Sequence, residues 1–278
     1  MSDSLETLLR ENLRIVLVRP QHPGNVGAVA RAMKNMGLRK LVIVDPPVLD
    51  LERARWMATS GRDVLAAARF TATVAEAVDD CDWAVACTAR SRRWRWPVVD
   101  QAELARQAFD TSDGGPPRRT AVLFGQEDFG LDNEALSHCQ TIVQIPTDGL
   151  ASLNLSQAVL LICARLFDEA RARGWEPTEA SRQGRRSGGP TDDRAGESPR
   201  KASTPPVKRM ASLGEQSQIV DLALETLALT PYMNGKTRDQ VQVLISGLLQ
   251  RSQPTSPELN ILRGMLKKTR WRIENPDK

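Results

Sequence analysis

The sequence predicts an α/β fold: a largely parallel sheet with helices on both faces, followed by a small all-helical C-terminal appendage. Three observations carry this expectation. Short β-branched runs alternate with stretches of helical periodicity from Leu13 to Arg173. Glycine-containing loops follow several of those runs, as tight strand-to-helix turns require. Beyond residue 210 only helical periodicity remains.

The elements follow in order. Leu13–Val18 (LRIVLV) and Lys40–Asp45 (KLVIVD) read as strands, and Gly24–Gly37 between them reads as a helix ending at a glycine suited to the position after a C-cap. Further strands fit Asp82–Thr88 (DWAVACT), Thr120–Phe124 (TAVLF) and Thr141–Ile145 (TIVQI). Helices fit around Ala72–Val78, Gln101–Phe109 and Asp132–Cys139, and a longer one from Asn154 to Arg173 carries Leu155, Val159, Ile162, Leu166 and Phe167 on one stripe. Ligands of such a sheet sit beyond the C-terminal ends of its strands. Residues 174–209 are rich in Pro, Gly, Ser and Arg, with only Trp175 and Val207 as large apolar residues, and read as a disordered linker. Within residues 210–278, Ile219–Leu229, Arg238–Arg251 and Pro257–Arg270 read as three helices broken at Pro231 and Pro254. The expected organisation is therefore 1–173, a linker over 174–209, and a helical domain over 210–278.

Composition bounds the function. Of 278 residues, 41% are hydrophobic and 26% charged, which excludes a wholly disordered or fibrous chain. No stretch approaches the ~20 unbroken apolar residues of a membrane span. The opening MSDSLETLLRENLR lacks a basic region followed by an apolar one, so no signal peptide and a cytoplasmic location are expected. Four cysteines form no CxxC and there are only two histidines, so reduced thiols and no metal centre are expected. The net charge of +4 arises outside the first 173 residues and permits, without demanding, a nucleic-acid partner.

The chemistry lies in the loops after the strands. There is no G-x-G-x-x-G and no GxxxxGK[ST], so neither a dinucleotide fingerprint nor a P-loop is present. Singly, each glycine loop is what a tight turn needs. Together, Asn25-Val26-Gly27-Ala28-Val29-Ala30-Arg31-Ala32, Phe124-Gly125-Gln126-Glu127-Asp128-Phe129-Gly130-Leu131, and Ile145-Pro146 followed by Ser152-Leu153-Asn154-Leu155-Ser156 resemble, in order and spacing, the three motifs of the SpoU/TrmH branch of SPOUT RNA methyltransferases. Thr88-Ala89-Arg90-Ser91-Arg92 and Glu258–Leu266 extend the likeness to those members that methylate a tRNA ribose in the anticodon loop.

The resemblance implies a C-terminal trefoil knot within the α/β domain, S-adenosyl-L-methionine as cofactor, tRNA as substrate, and a homodimer that completes the active site. It implies transfer to a ribose 2′-OH, at the cytidine or uridine of nucleotide 32. Carried over by position, the cofactor contacts are Cys87, Thr88, Ala89, Gly125, Ile145, Ala151, Ser152 and Leu153. The catalytic set is Arg31 with Asn25, Glu127, Ser152 and Asn154. A guanidinium with a pKa above 12 holds its proton, so Arg31 reads as a phosphate-gripping, positioning group rather than a base. Glu127 also suits a helix N-terminus, and Asn154 a helix cap. Gln126 stands where the family has Arg, which removes a cation from the site.

One segment reads as an RNA contact from its residues. In Ala89–Pro97 (ARSRRWRWP), Arg90, Arg92, Arg93 and Arg95 interleave with Trp94 and Trp96. Arginines neutralise phosphates and tryptophans stack on unpaired bases. Arg55-Trp56 is a weaker instance of the same pattern.

Overall fold

The computed structural model describes residues 2–89, 96–110, 118–148, 152–176, 210–233, 235 and 237–275. An N-terminal helix α1 (Ser2–Thr7), continued by a π-turn over Leu8–Asn12, leads into β1 (Leu13–Val18), α2 (Pro23–Asn35) and β2 (Lys40–Val44). Then come α3 (Leu51–Ala58), α4 (Arg62–Ala66), β3 (Arg69–Thr71), α5 (Val74–Val78) and β4 (Trp83–Cys87). The unit is completed by β5 (Val98–Val99), α6 (Gln101–Ala108), β6 (Thr120–Phe124), α7 (Asn133–Ser137), β7 (Thr141–Val143) and α8 (Leu155–Ala172).

All seven strands pair in parallel, in the order β3-β2-β1-β6-β4-β7-β5. Period-two alternation divides the apolar side chains between two layers. Leu13, Ile15 and Leu17 face one core with α2, α3, α4, α6 and α8, whereas Val16 and Val18 face the other with α5 and α7. The expected helices on both faces are present. Short polar caps start several of them: Asp50, Thr73, Asp100 and Asp132 each accept from a backbone N–H three residues on.

Several features depart from the sequence reading. β3 and β5, with three and two residues, are too short to show a period. The segment between β2 and β4 forms α3 and α4, which bury only two residues each: Ala54 and Ala58, then Val64 and Leu65. Trp175, assigned by composition to the linker, is 4% exposed and packs edge-on against Phe167, with ring centroids 5.6 Å apart. The packed chain therefore continues past Arg173. Residues 177–209 lie outside the described residues.

The helical unit consists of α9 (Leu213–Ala228), α10 (Arg238–Ser252) and α11 (Ser256–Glu274) around its own core of Ile219, Val220, Leu224, Val241, Leu249 and Leu259. α9 starts six residues before the expected Ile219 because Ser212 and Glu215 form a reciprocal capping box that carries the helix through a polar first turn. This unit meets the first through backbone bonds: Leu213 N donates to Cys81 O and Gly214 N to Asp79 O, both at 2.9 Å. Next to that seam Arg14 grips Asp80 through two bonds of 2.6 and 2.8 Å, and the guanidinium holds the Asp80 carboxyl down at about 2 against the opposing effect of burial.

Two glycines set how closely α2 is packed. A Cβ on Gly27 would overlap the carbonyl oxygen of Ala54 in α3, and one on Gly61 would lie 2.6 Å from the backbone nitrogen of Arg31. Gly27→Ala is expected to lower stability by roughly 1–3 kcal/mol through overpacking, although alanine by itself favours a helix by about 1 kcal/mol. Urea unfolding should show a lower midpoint at unchanged slope; an unchanged midpoint would mean that α3 can move away without cost.

Candidate active site

The C-terminal ends of β1, β6, β4 and β7 lie side by side in the sheet, so the loops that follow them converge. Glu127, in the loop after β6, occupies the centre of this convergence. Its Oε2 accepts from Gln21 N at 2.9 Å, and its Oε1 accepts from His22 N at 3.2 Å and Asn25 Nδ2 at 2.8 Å. His22 is the N-cap of α2 and offers no side-chain cap, so the carboxylate of Glu127 serves that helix start from another loop. Burial pushes the Glu127 carboxyl upward, but these hydrogen bonds outweigh it and hold the group below its ordinary value.

The polarity of the junction then propagates. An ionised carboxylate only accepts, so Asn25 turns its amide NH2 to Glu127 and its oxygen to Asn154. Asn154 Nδ2 donates to Asn25 Oδ1 at 3.1 Å. Asn154 Oδ1 accepts from the backbone N and the Oγ of Ser156, at 2.9 and 2.7 Å, and so caps α8. Capping and site-building are thus performed by the same amide. The structure brings together three of the predicted residues, Asn25, Glu127 and Asn154, drawn from three motifs.

The other predicted residues take different places. Arg31 is exposed on α2, almost two turns beyond Asn25 and about 9 Å along the axis. Ser152 is exposed and Leu153 half-buried in the segment leading into α8. Cys87, Gly125 and Ile145 sit at or just beyond the ends of β4, β6 and β7 and are half-buried, with Thr88 and Ala89 following Cys87. Burial pushes the Cys87 thiol up to about 12, so it is neutral, and Ile145 packs against the core. Thr88 N donates to Val143 O. Gly125 has no room for a side chain, because a Cβ there would overlap the backbone of Gly130. Ala151 and Arg90, Arg92, Arg93, Trp94 and Arg95 lie outside the described residues.

Sequence reasoning missed Arg19 and Gln21. Arg19 adopts φ 50 at the end of β1, and its guanidinium binds Asp45 and Asp132, each at 3.0 Å. Gln21 Nε2 donates to Gln126 Oε1 at 3.2 Å and to Arg19 O at 2.9 Å. The amide of Gln126, the departure from the family pattern, therefore meets another amide. No short-range signal marks these residues, since their side-chain partners are 26 to 113 positions away. Among the described residues no group of three or more His, Cys, Asp or Glu could hold a metal ion, and no helix is long and apolar enough to cross a membrane. A cleft of about 1010 Å³ between the two units, lined in part by Trp83, Trp96, Arg118, Thr141 and Arg251, lies at the opposite, N-terminal edge of the sheet. It is remote from the Glu127 junction.

The lowered Glu127 carboxyl carries a sign. A carboxylate with a depressed folded-state pKa contributes stability that is present above about pH 4.3 and is lost as the pH falls through its folded value. Glu127→Gln should melt at a lower temperature than the wild type at pH 6, and the gap should narrow below about pH 4 as the wild-type carboxylate protonates. Melting curves of both proteins from pH 6 to 3 check this; a gap of constant size would contradict it.

Residues 12–164 match the SpoU rRNA Methylase family. Over 261 residues the chain is 33% identical to the tRNA (cytidine/uridine/adenosine-2′-O-)-methyltransferase TrmJ of Pseudomonas aeruginosa strain UCBPP-PA14, covering 93% of this chain and 94% of that one. It is also 33% identical over 257 residues to the tRNA (cytidine/uridine-2′-O-)-methyltransferase TrmJ of Escherichia coli strain K12, with 92% and 94% covered. The fold superposes on the crystal structure of TrmJ from Z. mobilis ZM4 with a TM-score of 0.69, at 27% identity over 92% of this chain and 97% of that one. With its three loop motifs joined through Glu127, Asn25 and Asn154, the chain belongs to the SpoU methylase family and is an RNA 2′-O-methyltransferase.

Proposed function

We propose that this protein transfers a methyl group from S-adenosyl-L-methionine to a ribose 2′-OH of tRNA, at the cytidine or uridine of nucleotide 32 in the anticodon loop. The single observation that carries this reading is the Glu127–Asn25–Asn154 junction, which fixes the motif loops to one another at the ends of β1, β6 and β7. The two TrmJ relatives, alike along nearly the whole chain, support tRNA as the substrate.

The residues at the strand ends fit the cofactor. Cys87, Ile145, Leu153 and the bare backbone at Gly125 offer a neutral, partly apolar wall with peptide groups at its edge, which suits an adenosine. Thr88, Ala89 and Ser152 extend that wall, and Ala151 is a cofactor contact in the same proposal. When bound, the cofactor supplies an electrophilic methyl on a sulfonium. The chain's own residues supply position. Arg31 grips the phosphate next to the acceptor ribose, and the backbone of Gly61, against the helix at Arg31, keeps that arginine from shifting. Asn25 and Asn154, oriented by Glu127, hold the α2 and α8 starts against each other at the acceptor hydroxyl.

The same reading includes a C-terminal trefoil knot in the α/β domain and a homodimer. Leu160 and Leu161 are exposed on α8, which packs on α2, and offer an apolar seam for a second copy. A cytoplasmic location and Arg90, Arg92, Arg93, Trp94 and Arg95 as RNA contacts belong to the proposal as well.

Methylation mapping of tRNA incubated with the protein should place the product at nucleotide 32; methylation elsewhere would overturn the positional assignment. Arg31→Ala should cut turnover by about 10²-fold or more while calorimetry shows cofactor affinity nearly unchanged, and Arg31→Lys should rescue poorly because a point charge does not reproduce the planar fork. Normal turnover in Arg31→Ala would place the acceptor elsewhere. Replacing Arg92, Arg93 and Arg95 together by Ala should lower the log–log salt slope of tRNA binding by roughly 0.7–0.9 for each phosphate that is no longer neutralised; an unchanged slope would remove that loop from the interface.

A further inference from the structure

The loop between β6 and α7 is closed at atomic contact. Gly130 N donates to Gln126 O at 2.8 Å, Gln126 and Gly130 form an antiparallel bridge, and Gly130 adopts φ +69. A Cβ on Gly125 would overlap the Gly130 backbone, so the two ends of the loop are in direct contact. Glu127 ties the inner side to Gln21, His22 and Asn25, and buried Leu131 anchors the exit. Between these fixed points Phe129 stands 65% exposed.

We infer that Phe129 is a stacking platform for an unpaired base of the RNA substrate next to the methylated nucleotide. This rests on the function proposed above. A ring displayed by so constrained a loop loses little freedom when it binds, and every nucleobase offers a face to it. The flanking charges select base over backbone: Glu127 and exposed Asp128 repel phosphates, so the ring is the group in this loop that an RNA can use. Phe129 is thus a positioning residue, acting on the base while Arg31 and the asparagines act on the backbone and ribose.

The test uses the full chain with a tRNA substrate and a set of the same tRNA made abasic at single anticodon-loop nucleotides. Phe129→Ala should weaken tRNA binding by about tenfold, with an unchanged salt slope, unchanged cofactor affinity by calorimetry, and an unchanged melting temperature. Phe129→Trp should restore binding. One abasic position should cost the wild type about the same factor and cost Phe129→Ala almost nothing. If the wild type methylates tRNA and Phe129→Ala binds it equally well, or if every abasic penalty is the same in both proteins, stacking is refuted while the proposed function stands. A Phe129→Ala protein that melts lower or changes its sedimentation from that of the wild type assigns the ring to the fold or to a subunit interface, which also overturns the inference. A wild type that methylates no tRNA removes the function and the inference together.

Discussion

Because an ionised carboxylate can only accept hydrogen bonds, Glu127 fixes the orientation of the groups around it, and the organisation of the site follows. Two backbone N–H groups before α2 and the Asn25 amide converge on its oxygens. The Asn25 oxygen is thereby left for Asn154, and the Asn154 oxygen for the first turn of α8. One acid in the loop after β6 thus governs the starts of two helices that belong to other loops. A glutamine in its place would turn its NH2 toward donors that now meet an oxygen, and an apolar side chain would leave all three without an acceptor, so the cost would spread beyond one bond.

Backbone contacts make this polar junction rigid. Gly27 lets α3 touch α2, and Gly61 brings the turn after α3 so close that a Cβ on it would lie 2.6 Å from the backbone of Ala30 and Arg31. α2 consequently has little room to slide. Asn25 at its start and Arg31 further along are set in a fixed relation, as chemistry that depends on positioning requires. Arg19 adds a second tie between strand ends, reaching from β1 to Asp45 after β2 and to the Asp132 cap of α7.

The helical unit attaches far from this edge. Its first turn bonds to Asp79 and Cys81 at the N-terminal side of β4, next to the Arg14–Asp80 pair. That placement leaves the strand C-termini open to a large substrate. It also gives the helices a surface of their own, with Leu244, Leu248, Ile261 and Met265 exposed.

The sequence by itself determined the fold class, the strands β1, β2, β4, β6 and β7, the long helices and the motif residues. Local periodicity and capping residues act over one to three turns, and family motifs are strings of neighbours. β3, β5, the short α3 and α4, and the burial of Trp175 stayed hidden, because each is stabilised by partners distant in the chain rather than by its own pattern. In the site, Asn25, Glu127 and Asn154 were legible as separate motif members, whereas Arg19 and Gln21 were not. Only the tertiary structure decided that three motif residues form one hydrogen-bonded relay. Their spacing of 102 and 129 residues becomes contact through the sheet order, in which β6 inserts beside β1 and places its loop against the start of α2.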